Sequence, residues 1–218
     1  MGHVIAIDGP AGAGKSTIAR RLAGTLGYTY IDTGAMYRAI AWWALRGMVS
    51  LEDAAALTLL AVSAEIELLA GNRVTLNGED VTAWLRTPEV SAAASQVAAV
   101  AGVRAALVAK QREIAARRDV VMEGRDIGTV VFPDARVKIF LDADQAERVR
   151  RRSGDQPEVA AEELAAQIAE RDTRDRQRLE SPLLQAQDAC YLNSTGLSEA
   201  EVEEAILKIV RSKLERIQ

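Results

Sequence analysis

One cysteine, Cys190, and one histidine, His3, stand in a chain of 218 residues. A lone cysteine excludes an intramolecular disulfide, and with one histidine beside the N-terminus almost no material remains for a zinc cluster or Ser-His catalysis. Cys190 falls in the short apolar run 189–192 and is expected to serve as a small buried hydrophobe. Aromatic residues make up only 4%, which argues against the stacking platforms of a single-strand nucleic-acid binder. Positive charge is not in excess either: 27 basic against 31 acidic residues give a net charge of -4. Diffuse attraction to DNA or to an acidic membrane is therefore disfavoured. No apolar run reaches about 18 residues, and the N-terminus enters an apolar pentad without a long h-region or cleavage site. The expectation is a soluble protein of a reducing cytoplasm. Lysine is scarce as well, five residues against 22 arginines. Arginine forks suit bidentate work on carboxylate or phosphate; a compositional bias of an Ala-rich source is the alternative.

Apolar residues at 49% supply a sizeable core, and the length suits one domain, 1–218, with an insertion. Strand-like and helix-like segments alternate. Residues 4–8, 28–32, 119–122, 137–141 and 189–192 read as short strands of a mostly parallel sheet. Residues 16–26, 36–46, 51–61, 88–118 (broken near Gly102), 143–152, 158–178 and 198–216 read as helices. The last of these opens on Ser198 with Glu201 three residues on, a capping box. Between them, 65–69, 73–76 and 79–82, with turns at Gly71-Asn72 and Asn77-Gly78, read as a small antiparallel meander. The class is α/β with an inserted subdomain. Trp42, Trp43 and Trp84 are expected to pack rather than to stack on bases.

Gly9-Pro10-Ala11-Gly12-Ala13-Gly14-Lys15-Ser16 fits G-x-x-x-x-G-K-[ST], between a buried strand and a helix. Such a loop wraps phosphates with backbone N–H groups, and the helix turns its positive end toward them. Lys15 is expected to hold the β/γ-phosphates of a nucleoside triphosphate and the Ser16 hydroxyl to ligate Mg²⁺. An Asn-Lys-x-Asp guanine box is absent, which speaks against a switch GTPase; a motor usually needs more chain. A kinase acting on a small acceptor suits the length.

Two strand ends carry further polar groups. Asp32-Thr33-Gly34-Ala35-Met36-Tyr37-Arg38 follows the second strand, where Thr33 can cap the next helix and Arg38 can reach an anion; an ordinary cap with a solvated Arg is the alternative. Glu123-Gly124-Arg125-Asp126-Ile127-Gly128 follows the third, where Glu123 can hold Mg²⁺ through water. Asp126 could accept from cytosine's exocyclic amine, and an Arg could donate to its ring acceptors. Uracil would set two acceptors face to face in a desolvated site. In 171–178, Arg171, Arg174, Asp175 and Arg178 share one helical face, either as phosphoryl-transfer donors or as a solvated set of ion pairs. Arg148, Arg150, Arg151 and Arg152 precede the turn 154–157, so the two clusters bracket a lid at about 150–160.

Taken together, residues 31–38, Ser95-Gln96-Val97-Ala98, 124–135 and 170–178 resemble the bacterial cytidylate kinases, a family of nucleoside monophosphate kinases. The resemblance runs from the loop at 7–17 to the strand and turn at 189–195. It implies a three-layer P-loop NTPase fold with a five-stranded parallel sheet, a monophosphate-binding β insert at about 63–88 and a short helical lid bearing arginines. It implies ATP contacts from Gly9 through Thr17. Ser95, Arg104 and Asp126 match the residues that read cytosine. Arg38, Arg125 and Arg178 match the acceptor-phosphate clamp, with Thr33 beside them; Asp175 matches a ribose contact and Arg171 a transfer-site arginine. The catalytic set implied is Lys15, Arg125, Arg171 and Arg178. Thr33 stands where many members have serine, Glu123 where some have aspartate, and the turn at 153–158 is shorter than in some members.

The implied reaction is transfer of the ATP γ-phosphoryl group to CMP or dCMP. A kinase of another monophosphate or of a small acid such as shikimate is the runner-up, and a nucleotide-dependent binding switch the reading from another class. Small-molecule substrates, no nucleic acid, no membrane and a monomer are expected.

Overall fold

The computed structural model describes residues 2–215. Its backbone divides into two compact units, Met1–Ile31 with Ala115–Gln218, and Asp32–Ile114.

The first unit is built on strands β1 (Val4–Asp8), β2 (Thr29–Asp32), β6 (Val120–Gly124), β7 (Val137–Asp142) and β8 (Cys190–Asn193), the labels β3 to β5 belonging to the second unit. They form a parallel sheet in the order β2-β6-β1-β7-β8. The central strands are buried on both faces, which is why they read as unbroken apolar runs. Helix α1 (Lys15–Leu26) lays Ile18 and Leu22 on this sheet, and α8 (Glu199–Glu215) adds Val202, Ile206 and Val210 to the same core. Burial of each such side chain is worth about 1.5–3 kcal/mol. The Ser198–Glu201 capping box is present, with the Ser198 hydroxyl donating to Glu201 at 2.7 Å. The expected end of α8 at Arg216 lies outside the described residues.

Two expectations change here. Helix α6 (Gln145–Asp155) runs through Ser153 and Gly154, where a turn was expected, and α7 (Ala161–Gln177) starts later than position 158. Gly154 meets no neighbour within 4 Å, so its cost is only the intrinsic one of about 1 kcal/mol, which the helix tolerates. Cys190 is half-buried rather than buried, because β8 is the sheet edge and packs on one face only.

The second unit contains α2 (Thr33–Arg46), α3 (Ala54–Ser63), α4 (Pro88–Val97) and most of α5 (Ala101–Ala116). Its antiparallel sheet β3 (Ile66–Leu69), β4 (Arg73–Leu76), β5 (Glu79–Asp80) is the expected meander. Val74 and Leu76 alternate inward onto the helices. The break between α4 and α5 falls at 98–100, not at Gly102. Gly102 lies inside α5, where a Cβ would stand 2.3 Å from the Thr58 hydroxyl of α3. It allows two helices to approach and breaks nothing. Trp42 and Trp43 pack on this core as expected, whereas Trp84 is 55% exposed. Among the described residues no single helix is long and apolar enough to cross a membrane.

Candidate active site

The loop 9–14 joins β1 to α1 in the first unit. Gly9 passes so close to β7 that a Cβ would lie 1.9 Å from the Leu141 carbonyl oxygen. Gly14 caps α1 in the left-handed conformation, which leaves the first amides of the helix free to face an anion. Lys15 is buried, and its Nζ donates to the Pro10 carbonyl at 2.7 Å. Burial and then the like charges of Arg125 and Arg171 push its pKa down to about 7, against the opposing pull of Glu123 and Asp175.

Arginines of α6 grip the outer side of this loop. Arg148, buried on α6, donates through Nη1 to the Ala11 carbonyl at 3.1 Å and to Asp172 at 2.5 Å, and through Nε to the Ala143 carbonyl at 3.0 Å. Arg151 donates through Nη1 to the Ala13 carbonyl at 3.1 Å and through Nη2 to the Ser194 carbonyl at 2.8 Å. Of the arginines that precede the expected lid, these two direct their guanidinium groups at loop carbonyls. Arg150 is exposed and pairs with Glu147.

The end of β6 carries the second cluster. Glu123 is buried and accepts from the Tyr30 hydroxyl at 2.6 Å. Arg125 donates through Nε to Asp175 at 2.8 Å, and Arg178 Nη1 lies 3.6 Å from the same carboxylate. Burial alone would raise the Asp175 pKa, yet Arg125, Arg171 and Arg178 hold it below the usual carboxylate value. Asp126 is buried. Beyond it, Asp8 of β1 accepts from the Ile127 and Gly128 amides at 2.8 and 2.7 Å.

On α7 the buried stripe is Leu164, Ile168, Asp172 and Asp175. The acids therefore face inward and meet arginines from other elements. Arg174, expected with Arg171 on the working face, instead pairs with Glu170 at the surface. Arg178 lies just past the helix end, in extended backbone, and donates to the Ser181 carbonyl at 2.7 Å.

In the second unit, the cap of α2 is Asp32 and not Thr33, which is the first helical residue and buried. Asp32 Oδ1 accepts from the Ala35 amide at 2.9 Å, and Oδ2 from Arg38 Nη2 at 2.8 Å. A carboxylate serves here because its two oxygens do both jobs. Gly34 leaves the space: a Cβ there would stand 3.0 Å from Arg38 Nη1. Arg104 is buried, donates to the Ala98 carbonyl at 3.2 Å, and lies over the Tyr37 ring at 5.4 Å. The buried Ser95 hydroxyl has no hydrogen-bond partner among the described residues.

The first unit thus brings together the loop 9–17, Glu123, Arg125, Asp126, Arg171, Asp175 and Arg178, and the second carries Thr33, Arg38, Ser95 and Arg104. Sequence reading gave no role to Asp8, Tyr30, Asp32 and Asp172, and named Arg148 only as preceding a lid. Continuing the Leu164–Ile168 spacing by four and three would have found both acids on the buried face of α7. Among the described residues no three His, Cys, Asp or Glu side chains cluster as a metal cage. One hydroxyl, Ser16, and one carboxylate, Glu123, are a sparse donor set, which fits a Mg²⁺ ion carried mainly by phosphate oxygens and water.

The cytidylate kinase family model matches residues 5–212. The chain is 62% identical to a cytidylate kinase of Solibacter usitatus over 217 residues, covering 97% of this chain and 93% of that one. It is 51% identical to a cytidylate kinase of Desulforamulus reducens, covering 93% and 94%. Among solved structures, protein TT1252 of Thermus thermophilus shares the fold at a TM-score of 0.53 and 20% identity, covering 98% of both chains.

Proposed function

Because the chain belongs to the cytidylate kinase family of nucleoside monophosphate kinases, we propose that it transfers the γ-phosphoryl group of ATP to CMP or dCMP, giving ADP and CDP or dCDP. The observation that carries this reading is the charge balance around Lys15. Burial first, and then the like charges of Arg125 and Arg171, lower the pKa of this ammonium to about 7, with Glu123 and Asp175 pulling the other way. A desolvated ammonium flanked by two arginines at a phosphate loop is suited to a polyphosphate, whose negative charge stabilises the cation.

The roles follow from the chemistry of each group. Backbone amides of Gly9 through Thr17 hold the ATP phosphates, with Lys15 on the β/γ-phosphates. Ser16 would ligate Mg²⁺ and Glu123 would hold it through water; when bound, the ion neutralises charge on the phosphates. The acceptor oxygen of a nucleoside monophosphate is already ionised at neutral pH, so no general base is needed. Arg38, Arg125 and Arg178, with Thr33 adjoining, clamp the acceptor phosphate. Arg171 and Lys15 spread the charge of the transferring group. Asp175 contacts the ribose, having acceptor capacity beyond its bond to Arg125.

For the base we assign Ser95, Arg104 and Asp126. A carboxylate accepts from the cytosine amine and an arginine donates to its ring acceptors. The Ser95 hydroxyl, buried and without a hydrogen-bond partner among the described residues, supports a ligand at that position. A cytoplasmic, monomeric enzyme of pyrimidine metabolism is the setting this chemistry suits.

The test is ADP release with ATP, Mg²⁺ and a panel of nucleoside monophosphates. CMP and dCMP should be turned over best. A tenfold preference for UMP or AMP over CMP overturns the cytosine assignment, and hydrolysis indifferent to every monophosphate overturns the kinase reading.

A further inference from the structure

Asp8 is the only charged residue of β1 and is buried to 5% exposure. A carboxylate there loses its water, and burial raises its pKa to about 6. Both of its oxygens are committed to one feature, the π-helical turn Ile127–Val131 that follows β6. The turn closes on itself through Val131 N–H to the Asp126 carbonyl at 3.1 Å and Phe132 N–H to the Ile127 carbonyl at 2.7 Å. Its opening amides have no carbonyl of their own to meet, as at any helix start. Asp8, from a different strand and 119 residues away, accepts from Ile127 and Gly128 instead.

The consequence concerns the two residues in between. Gly124 is fixed in the sheet, where it pairs in register with Asp8 itself. Ile127 is fixed by the Asp8 side chain. Arg125 and Asp126 therefore form a two-residue bridge pinned at both ends by one residue, which also leads directly into the phosphate loop at Gly9. Asp126 leaves the helical region at φ −146°, so its direction is set by those pins and not by a regular element. We propose that Asp8 is a positioning residue for acceptor recognition, aiming Asp126 at the base and Arg125 at the acceptor phosphate by capping the turn that follows them. This rests on the roles given to Asp126 and Arg125 above. ATP binding should be affected less, because Arg148 and Arg151 hold the loop carbonyls of Ala11 and Ala13 independently.

Asp8→Asn keeps the volume and one acceptor but turns an amide N–H against a backbone N–H. Steady-state kinetics with CMP and UMP side by side should show kcat/KM for CMP falling at least tenfold and the CMP-over-UMP ratio shrinking at least fivefold, with KM for ATP within twofold. A purely structural loss would lower the active fraction and leave that ratio and the KM values where they were. Gly128→Ala is the second variant, should Asp8→Asn not fold. Its Cβ would lie 3.1 Å from the Lys138 stem, so that the stem or the turn must give by a few tenths of an ångström beside Asp8 Oδ2 at 3.4 Å. It should shrink the ratio in the same direction. An unchanged ratio in a folded variant overturns the proposal. A wild-type enzyme without a CMP preference would instead overturn the assignment of the base readers.

Discussion

Replacing Arg148 by Met should destabilise this chain more than any surface arginine change. Methionine keeps most of the stem and removes the guanidinium, so the effect reads the charge and its hydrogen bonds rather than a large cavity. Asp172, with its side chain only 7% exposed, then loses its ion-pair partner, and its Oδ1 already has no hydrogen-bond partner among the described residues. Breaking a buried pair from one side costs about 3–5 kcal/mol. At about 2–4 °C per kcal/mol for a chain of this size, Tm should fall by roughly 6–20 °C. The double change Arg148→Met with Asp172→Leu removes the stranded charge and should recover at least about 2 kcal/mol of that loss. Recovery stays partial, because the carbonyls of Ala11 and Ala143 still lack their donor. Thermal melts of the four proteins, followed by circular dichroism, close the cycle. A drop in Tm below 3 °C for Arg148→Met, or strictly additive losses in the double variant, would refute the view that this pair is buried and coupled. KM for ATP should rise severalfold in Arg148→Met, since the Ala11 peptide is released.

Asp32→Ala removes both the cap of α2 and the partner of Arg38; we expect about 1 kcal/mol of lost stability and a KM for CMP raised at least fivefold, and an unchanged KM would sink the link to Arg38. Lys15 has a pKa lowered from 10.5 to about 7, so between those values the unfolded chain binds the extra proton and stability rises with pH. At pH 8 the ammonium is mostly deprotonated, and bound polyphosphate should pull its proton back. ATP binding measured by calorimetry in buffers of different ionisation enthalpy should then show proton uptake approaching one, abolished in Lys15→Met. No uptake at pH 8 refutes this account.

Much of the fold was legible because buried parallel strands are short and apolar and turns are marked by glycine. The runs at 4–8 and 137–141 have no other reading once a phosphate loop and a helix follow the first. The phosphate loop was legible for a related reason: its glycines and its Lys-Ser pair stand together in one short run of sequence between a strand and a helix. The polar braces were not legible, and the cause is physical. Each of them joins groups whose meeting is set by tertiary packing: Asp8 with Ile127, Arg148 with Ala11, Arg125 with Asp175. The arginine excess shows the difference most clearly. By spacing Arg174 shares a face with Arg171 and Arg178, yet it meets a surface glutamate; Arg176, off that face by spacing, is exposed. What separates the two groups is the inward face of α7, and that face is defined by its acids. Asp172 and Asp175 continue the Leu164–Ile168 stripe, so a helix that seems to offer guanidinium groups in fact presents carboxylates inward. Those carboxylates select which arginines of other elements are held: Arg148 against the loop 9–14 and Arg125 at the end of β6. The guanidinium groups around the loop are therefore organised by buried acids that fix the forks, and a count of arginines measures only the material they choose from.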